Sequence, residues 1–103
     1  MAYPPFTALA NIIVRDTRLE NAMRRARQLS EYFALHDGRG VRVLGPAAAA
    51  LARLKKEHRF QFLLKSTKRS VLTSLLAGAM AHCEKKEIPR TAVLVDMDPL
   101  SLL

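Results

Sequence analysis

Two strand-like stretches of this chain are each followed at once by a helix-like stretch, and this order limits the folds it can adopt. Residues 9–15 are apolar and β-branched, which predicts a strand buried on both faces. Residues 17–35 carry apolar side chains at three- and four-residue spacing, which predicts one amphipathic helix. Thr17 and Glu20 are spaced as a capping box at its start. Its predicted outer face carries Arg18, Arg24, Arg25 and Arg27.

The second half of the chain repeats the order. After a turn at 36–40, which contains two glycines, a short strand is predicted that ends or bends at Gly45-Pro46. A strand with alternating apolar residues follows, then a helix capped by Ser66 or Thr67 that ends before Pro89, then a last strand. The predicted ranges are 41–44, 59–65, about 67–87 and 91–97.

Residues 47–58 allow two interpretations. Their Ala, Leu, Lys and Glu content favours a helix, but the stretch could equally be a long β-hairpin arm between the middle strands. The order strand–helix–strand–strand–helix–strand, with 47–58 joining the two middle strands, is the split βαβ, or ferredoxin-like, pattern. We therefore predict an α+β domain, with two helices covering one face of a four-stranded sheet.

Composition narrows the class of protein further. The chain has 103 residues, enough for one domain, and no apolar run long enough to span a membrane. Its N-terminus lacks a secretory signal, and Cys83 is the only cysteine, so a cytoplasmic setting is expected. Seventeen Lys and Arg stand against nine Asp and Glu, a net charge of +8. This excess favours a polyanionic partner, either nucleic acid or an acidic protein segment.

Signatures of catalysis are missing from the sequence. There is no P-loop and no Gly-x-Gly-x-x-Gly, and the three histidines (His36, His58 and His82) are far apart. We expect Cys83 to be a small core residue. Asp96 and Asp98 are predicted to share one face of a strand, where they would bind turn amides rather than a metal. No nucleophile–base pair stands out, so an enzyme is the least favoured class.

Three features could bind a partner. The densest basic cluster is 53–59, which is either a phosphate-binding surface or a solvated loop. Phe60 and Phe62 could stack nucleobases, as in RNA-recognition modules of this topology, or could both face the helices as core. Lys65, Lys68 and Arg69 surround the start of the second helix, which suits a phosphate or a peptide carboxylate.

Four motifs in order along the chain resemble the C-terminal domain of bacterial primosomal protein N′, the PriA family of replication-restart helicases. They are Tyr3-Pro4-Pro5-Phe6 with Leu9-Ala10, Val41 to Ala47, Arg59 to Ser66, and Val95 to Pro99. The resemblance covers essentially the whole chain. It implies a fold similar to ribosomal protein S10, with residues 1–6 entering from a helicase core, and it favours a hairpin arm for 47–58.

The resemblance also implies function. The complete protein would be an ATP-dependent 3′→5′ DNA helicase, with its ATP, Mg and zinc sites upstream of this chain and no cofactor within it. This domain would bind branched or duplex DNA and help bind the acidic tail of single-stranded DNA-binding protein. In the family the tail site takes an arginine in the first turn of the second helix and a glutamine one turn later; Arg69 matches the first, and Thr73 stands at the second.

These arguments give two predicted sites on a domain that binds and does not catalyse. The tail-binding residues are predicted to be Arg69, Thr73 and Lys68. The DNA-binding residues are predicted on the hairpin arm and the first helix: Arg53, Lys55, Lys56, His58, Arg59, Arg24, Arg25 and Arg27. Two alternatives stay open, namely a free-standing RNA-binding protein and a structural brace that joins the helicase lobes through an apolar sheet face.

Overall fold

A computed structural model describes residues 8–54 and 56–98, with side chains described for 8–49 and 56–98. The predicted entry segment 1–6, the side chain of Arg53 and the whole of Lys55 lie outside this description. The described chain forms four strands and two α-helices. They are β1 (Ala8–Asp16), α1 (Leu19–Ala34), β2 (Val41–Leu54), β3 (Glu57–Ser66), α2 (Arg69–Lys85) and β4 (Val93–Met97), with a short 3₁₀ turn, Arg90–Ala92, before β4.

The strands form one antiparallel sheet in the order β2-β3-β1-β4. This is the predicted split βαβ arrangement. Both helices lie on one face, where side chains from the central strands are fully buried against them. The largest are Phe33 of α1, Phe62 of β3, Ile12 of β1, Leu29 of α1 and Leu64 of β3.

Burial along β1 alternates between buried and half-buried residues. The prediction that this strand is buried on both faces was therefore wrong. Ile12 and Val14 point into the core, whereas Asn11, Ile13 and Arg15 lie on the sheet face without helices. The apolar run was misleading because Ile13 contributes to a partly exposed apolar face rather than to the core.

Residues 47–54 are the second half of a continuous strand, so the hairpin interpretation is correct and the helical propensity is overridden by pairing with β3. Gly45-Pro46 does not end β2. It forms an irregularity in the pairing, with register shifts after Leu44 and again after Ala48. A Cβ on Gly45 would lie 2.6 Å from the Gln61 carbonyl oxygen, so only glycine allows the two strands to approach here.

Both helices begin later than predicted, and neither has a side-chain cap at its N-cap residue. Instead, the last residue of the preceding strand accepts a hydrogen bond from the backbone N–H two residues on. Asp16 Oδ1 binds the Arg18 amide at 2.8 Å, and Ser66 Oγ binds the Lys68 amide at 3.1 Å. The capping box at Thr17 was therefore wrong, because Asp16 binds the helix entry in its place. The prediction that Ser66 binds the start of the second helix is confirmed, although Ser66 lies two residues before the N-cap residue Lys68 rather than in it.

Candidate nucleic-acid and peptide-binding sites

The pairing of β1 with β3 places the two predicted sites at opposite ends of the sheet. Asp16 pairs with His58 beside the turn of the hairpin arm, and Ala8 pairs with Ser66 just before α2. β1 has nine residues, so these ends lie roughly 30 Å apart. We call them the arm end and the α2 end.

At the arm end, the described cations differ in how far they are exposed. Lys56 is exposed in the hairpin turn, with a left-handed φ of 65°. His58 and Arg59 are half-buried, and the Arg59 Nε is shielded without a hydrogen-bond partner in the described residues. Arg59 lies directly opposite Arg15, whose Nε is 3.5 Å from Glu57 Oε2. Among the arm cations whose side chains are described, Lys56 is therefore the most available to a ligand.

The three arginines of α1 that were predicted to bind DNA do not lie on one exposed face. Arg25 turns inward, where its Nη1 lies 2.5 Å from Asp16 Oδ2. Arg24 is exposed and donates to Asn21 Oδ1 at 2.9 Å, and Arg27 is exposed. The assignment of Arg25 to an outward surface was wrong, because a carboxylate at the end of β1 neutralises it.

Asp16 is the centre of this junction between β1 and α1. The backbone N–H of Arg18 lowers the pKa of its carboxyl group most, and the charge of Arg25 lowers it further, against burial, which raises it. The carboxylate thus ties the start of α1 to the end of β1 and holds Arg25 against the domain.

A groove of about 370 Å³ separates α1 from β2 and the arm. Met23, Pro46 and the half-buried ring of Phe60 line it together with Arg27. The lining residues are Met23, Ala26, Arg27, Ser30, Pro46, Ala47, Ala48 and Phe60.

The rings of Phe60 and Phe62 do not form a base-stacking platform on the open sheet face. Phe62 is fully buried against Phe33, with ring centroids 5.1 Å apart in an edge-to-face arrangement. Phe60 lies on the same helix-covered side, in the groove beside Met23. The core interpretation is confirmed for Phe62, and the RNA-recognition interpretation of this pair was wrong.

At the α2 end, Arg69 is paired with a carboxylate of the chain itself. Its Nη1 donates to Asp98 Oδ2, and both side chains are partly exposed. Asp98 is fixed to β1, because its Oδ1 accepts from the Leu9 amide at 3.2 Å and its own amide donates to the Leu9 carbonyl at 2.6 Å. Thr73 Oγ1 donates to the Arg69 carbonyl at 2.9 Å, and Lys68 is exposed at the N-cap.

Asp96 and Asp98 do not share a face. Asp96 is exposed opposite Asn11 on the helix-free side of the sheet, whereas Asp98 contacts Arg69 of α2. A left-handed φ of 51° at Asp98 changes the direction of the chain there. The expected hydrogen bond from a backbone amide to Asp98 exists, but the donor belongs to β1 rather than to a turn.

A second cluster joins the two helices and was not foreseen. Tyr32 of α1 lies between His36 and His82, with ring centroids at 4.6 Å and 5.1 Å. Helical spacing could have indicated that Tyr32 and His36 share a face of α1, but not that His82 joins them. Across the described residues, no group of three or more His, Cys, Asp or Glu is placed to hold a metal ion.

The face of the sheet opposite the helices has no covering element within the described residues. Leu44 and Leu94 are 40% and 38% exposed on it, and Leu63 and Ile13 are half-buried between them. Within the same residues, neither helix has the length and apolarity that a bilayer crossing requires.

The strand order and the one-sided helix layer define an α+β domain of the ferredoxin-like class. A solved structure titled "De novo designed protein Foldit4" has this fold, with a TM-score of 0.66 at 15% identity over 89% of this chain and 96% of that one. The chain belongs to the family described as Primosomal protein N C-terminal domain, which matches residues 1–100.

Two curated relatives extend the family assignment to named proteins. Both are called "Replication restart protein PriA", one from Bacillus subtilis and one from Haemophilus influenzae, and each is 29% identical over 99% of this chain. The chain spans only 13% and 14% of their lengths. The family resemblance drawn from the four motifs is therefore confirmed.

Proposed function

We propose that this chain is the accessory domain of a replication-restart helicase and that it binds DNA and an acidic protein tail at opposite ends of its sheet. The observation that carries the proposal is that exposed cations lie at both ends of the sheet, Lys56 at the arm end and Lys68 with Arg69 at the α2 end. In this proposal the ATP-dependent 3′→5′ helicase, with its ATP, Mg and zinc sites, lies in the part of the protein outside this chain.

The DNA site is proposed at the arm end, on Lys56, Arg27 and Arg24 with the rest of the arm. Lys56 and Arg27 are exposed, and the base of the arm and α1 border the same groove. Contacts of this kind neutralise backbone phosphates and position a duplex without reading its sequence. Arg25 contributes indirectly, by holding α1 against the end of β1.

Titration of forked duplex DNA tests this site. Lys56→Ala with Arg27→Ala should weaken binding and reduce the slope of log K against log salt by about 2, because each variant residue leaves one phosphate without its cation. The matched control is Arg39→Ala with Arg42→Ala, which removes the same charge from exposed positions toward the α2 end. If the control pair weakens binding equally, general basicity and not the arm end binds DNA.

The tail site is proposed at the α2 end. Arg69 and Lys68 stand in the first turn of α2, which has no acidic residue of its own. A guanidinium binds a carboxylate through charge-assisted hydrogen bonds, and the positive end of the helix dipole favours the same charge. The single-stranded DNA-binding protein tail is therefore the proposed ligand, with the helicase core completing the site.

Fluorescence anisotropy of the labelled tail peptide with the full-length protein tests this second site. Arg69→Glu should weaken binding at least about tenfold, because a charged hydrogen bond is replaced by repulsion. Arg18→Glu is the control for the change in net charge, because Arg18 is exposed before α1, at the arm end. Equal affinities for the wild type and the Arg69→Glu variant would contradict the proposal.

A structural brace is a second candidate function, supported by the open sheet face. Exposed apolar side chains such as Leu44 and Leu94 gather on a face without a covering element in the described residues, as surfaces that contact another domain do. Leu44→Ser with Leu94→Ser should leave the melting temperature of this domain nearly unchanged and lower that of the full-length protein. If the melting temperatures of the domain and of the full-length protein both stay unchanged, the open sheet face does not act as a brace.

A further inference from the structure

Asp98 is already paired with Arg69, the side chain that the tail would need to bind. The Arg69 Nη1 donates to Asp98 Oδ2, so the guanidinium already has a carboxylate partner in the free domain. The two side chains are 62% and 39% exposed, and ion pairs this exposed are held weakly. Exchange of Asp98 for another carboxylate would therefore not require opening the core.

The two partners of this pair are held very differently. Asp98 is fixed by two hydrogen bonds with the backbone of Leu9, which do not involve Arg69. Arg69 is the more exposed of the two, and its guanidinium is on a long, rotatable side chain. A competing ligand would thus move Arg69 and leave Asp98 in place on β1.

We infer that Asp98 is an internal competitor for the tail site: its carboxylate occupies Arg69 in the free domain and gives way when an acidic tail binds. This inference rests on the proposed tail-binding function. A ligand with a single carboxylate replaces one Arg69–carboxylate pair by another, so it gains little binding free energy. An acidic tail with several carboxylates can add contacts to exposed Lys68, so the pair selects multiply charged tails over small anions.

Asp98→Asn in the full-length protein tests the inference. The variant removes the charge but keeps an oxygen that can accept from the Leu9 amide, and asparagine tolerates the left-handed φ of 51° found here. The tail peptide should bind about two- to tenfold more tightly, because both the competing pair and the repulsion are removed. A purely structural Asp98 would give the opposite sign, since a disturbed β1–β4 junction weakens the site.

Asp96→Asn is the matched control, since it removes one carboxylate two residues away that faces the other side of the sheet. Its affinity for the peptide should stay within about twofold of the wild type. Acetate should displace the peptide at a lower concentration from Asp98→Asn than from the wild type, because in the variant it no longer competes with Asp98 for Arg69.

A measurement on the wild type covers the case in which Asp98→Asn lowers the melting temperature. The carboxylate carbon resonance of Asp98 should shift when peptide is added, because the carboxylate loses Arg69 while it stays bound to Leu9, and acetate at the same carboxylate concentration should shift it less. An unmoved Asp98 carboxylate resonance at saturating peptide would overturn the inference.

The outcomes separate the inference from the proposed function. If Arg69→Glu leaves peptide binding unchanged, the tail does not use this site and the proposed function fails. If Arg69→Glu abolishes binding while Asp98→Asn binds no more tightly than Asp96→Asn, the tail site stands and only the displacement of Asp98 is wrong.

Discussion

Gly78 of α2 lies directly against the ring of Tyr32, so that the Tyr32 hydroxyl occupies the position where a Cβ at residue 78 would be. The same ring is stacked on His82 and makes a tilted contact with His36. The packing of α1 on α2 thus requires glycine at position 78, because the ring of Tyr32 fills the space that a larger residue would need.

Gly78→Ala should destabilise the domain, although alanine is favoured over glycine inside a helix by about 1 kcal/mol. The added methyl group displaces Tyr32, and we expect a net loss of about 1–2 kcal/mol in the free energy of unfolding. In a Tyr32→Phe background the loss should shrink by at least about 0.5 kcal/mol. Urea unfolding of the wild type and the three variants measures this, and additive effects would contradict the contact.

The acid stability of the domain should depend on Asp16, whose pKa the Arg18 amide and Arg25 lower in the folded state. The unfolded chain then binds more protons in acid, so this stabilisation is complete above an ordinary Asp pKa of about 3.9 and is lost as the pH falls through the lowered folded value. Asp16→Asn should cost about 1–2 kcal/mol at pH 7 and much less at pH 2.5. Urea titrations across this range measure the difference.

Glu31→Gln is the matched control for this measurement, because Glu31 is an exposed carboxylate of the same helix. Its effect on the free energy of unfolding should be small at every pH. A pH-independent loss in Asp16→Asn would mean that the carboxylate acts through shape and not through charge.

Cys83 should react slowly with thiol reagents. It is 5% exposed, and burial raises the pKa of its thiol, so both access and thiolate are limited. Labelling with an aromatic disulfide at pH 8 should be at least about 100-fold slower in the native domain than in 6 M urea, because it requires local opening. Labelling at the denatured rate would contradict the placement of Cys83 in the core.

The two phenylalanines of β3 should differ in their effect on stability. Phe62→Ala opens a cavity in the core beside Phe33 and should cost about 3–5 kcal/mol, whereas Phe60→Ala in the half-buried groove should cost less. Thermal unfolding compares them. An equal cost would show that the groove is packed as tightly as the core.

The order of elements could be predicted because each one carries its own periodicity. The failures came from interactions between elements. Residues 47–54 have helical propensity but pair with β3, and Arg25 follows the spacing of an outer face but meets Asp16 at the end of the preceding strand. Leu19 and Met23 fit the apolar spacing of α1, yet they are 43% and 46% exposed.

The candidate sites were predictable in part. A basic first turn of α2 could be identified from Lys68 and Arg69 alone. Their partner could not, since Asp98 is 29 residues further along the chain and reaches Arg69 only after β4 has been added beside β1. The stacking of His82 on Tyr32 depends in the same way on how two distant helices pack.

The length of β1 has a consequence for how the domain would work with its two proposed ligands. A strand of nine residues separates the hairpin turn from the first turn of α2 by roughly 30 Å. A duplex that crosses the arm end at right angles to β1 therefore leaves the α2 end open, whereas one that runs along β1 would cover both ends, so the direction of the bound duplex decides whether both proposed ligands bind together.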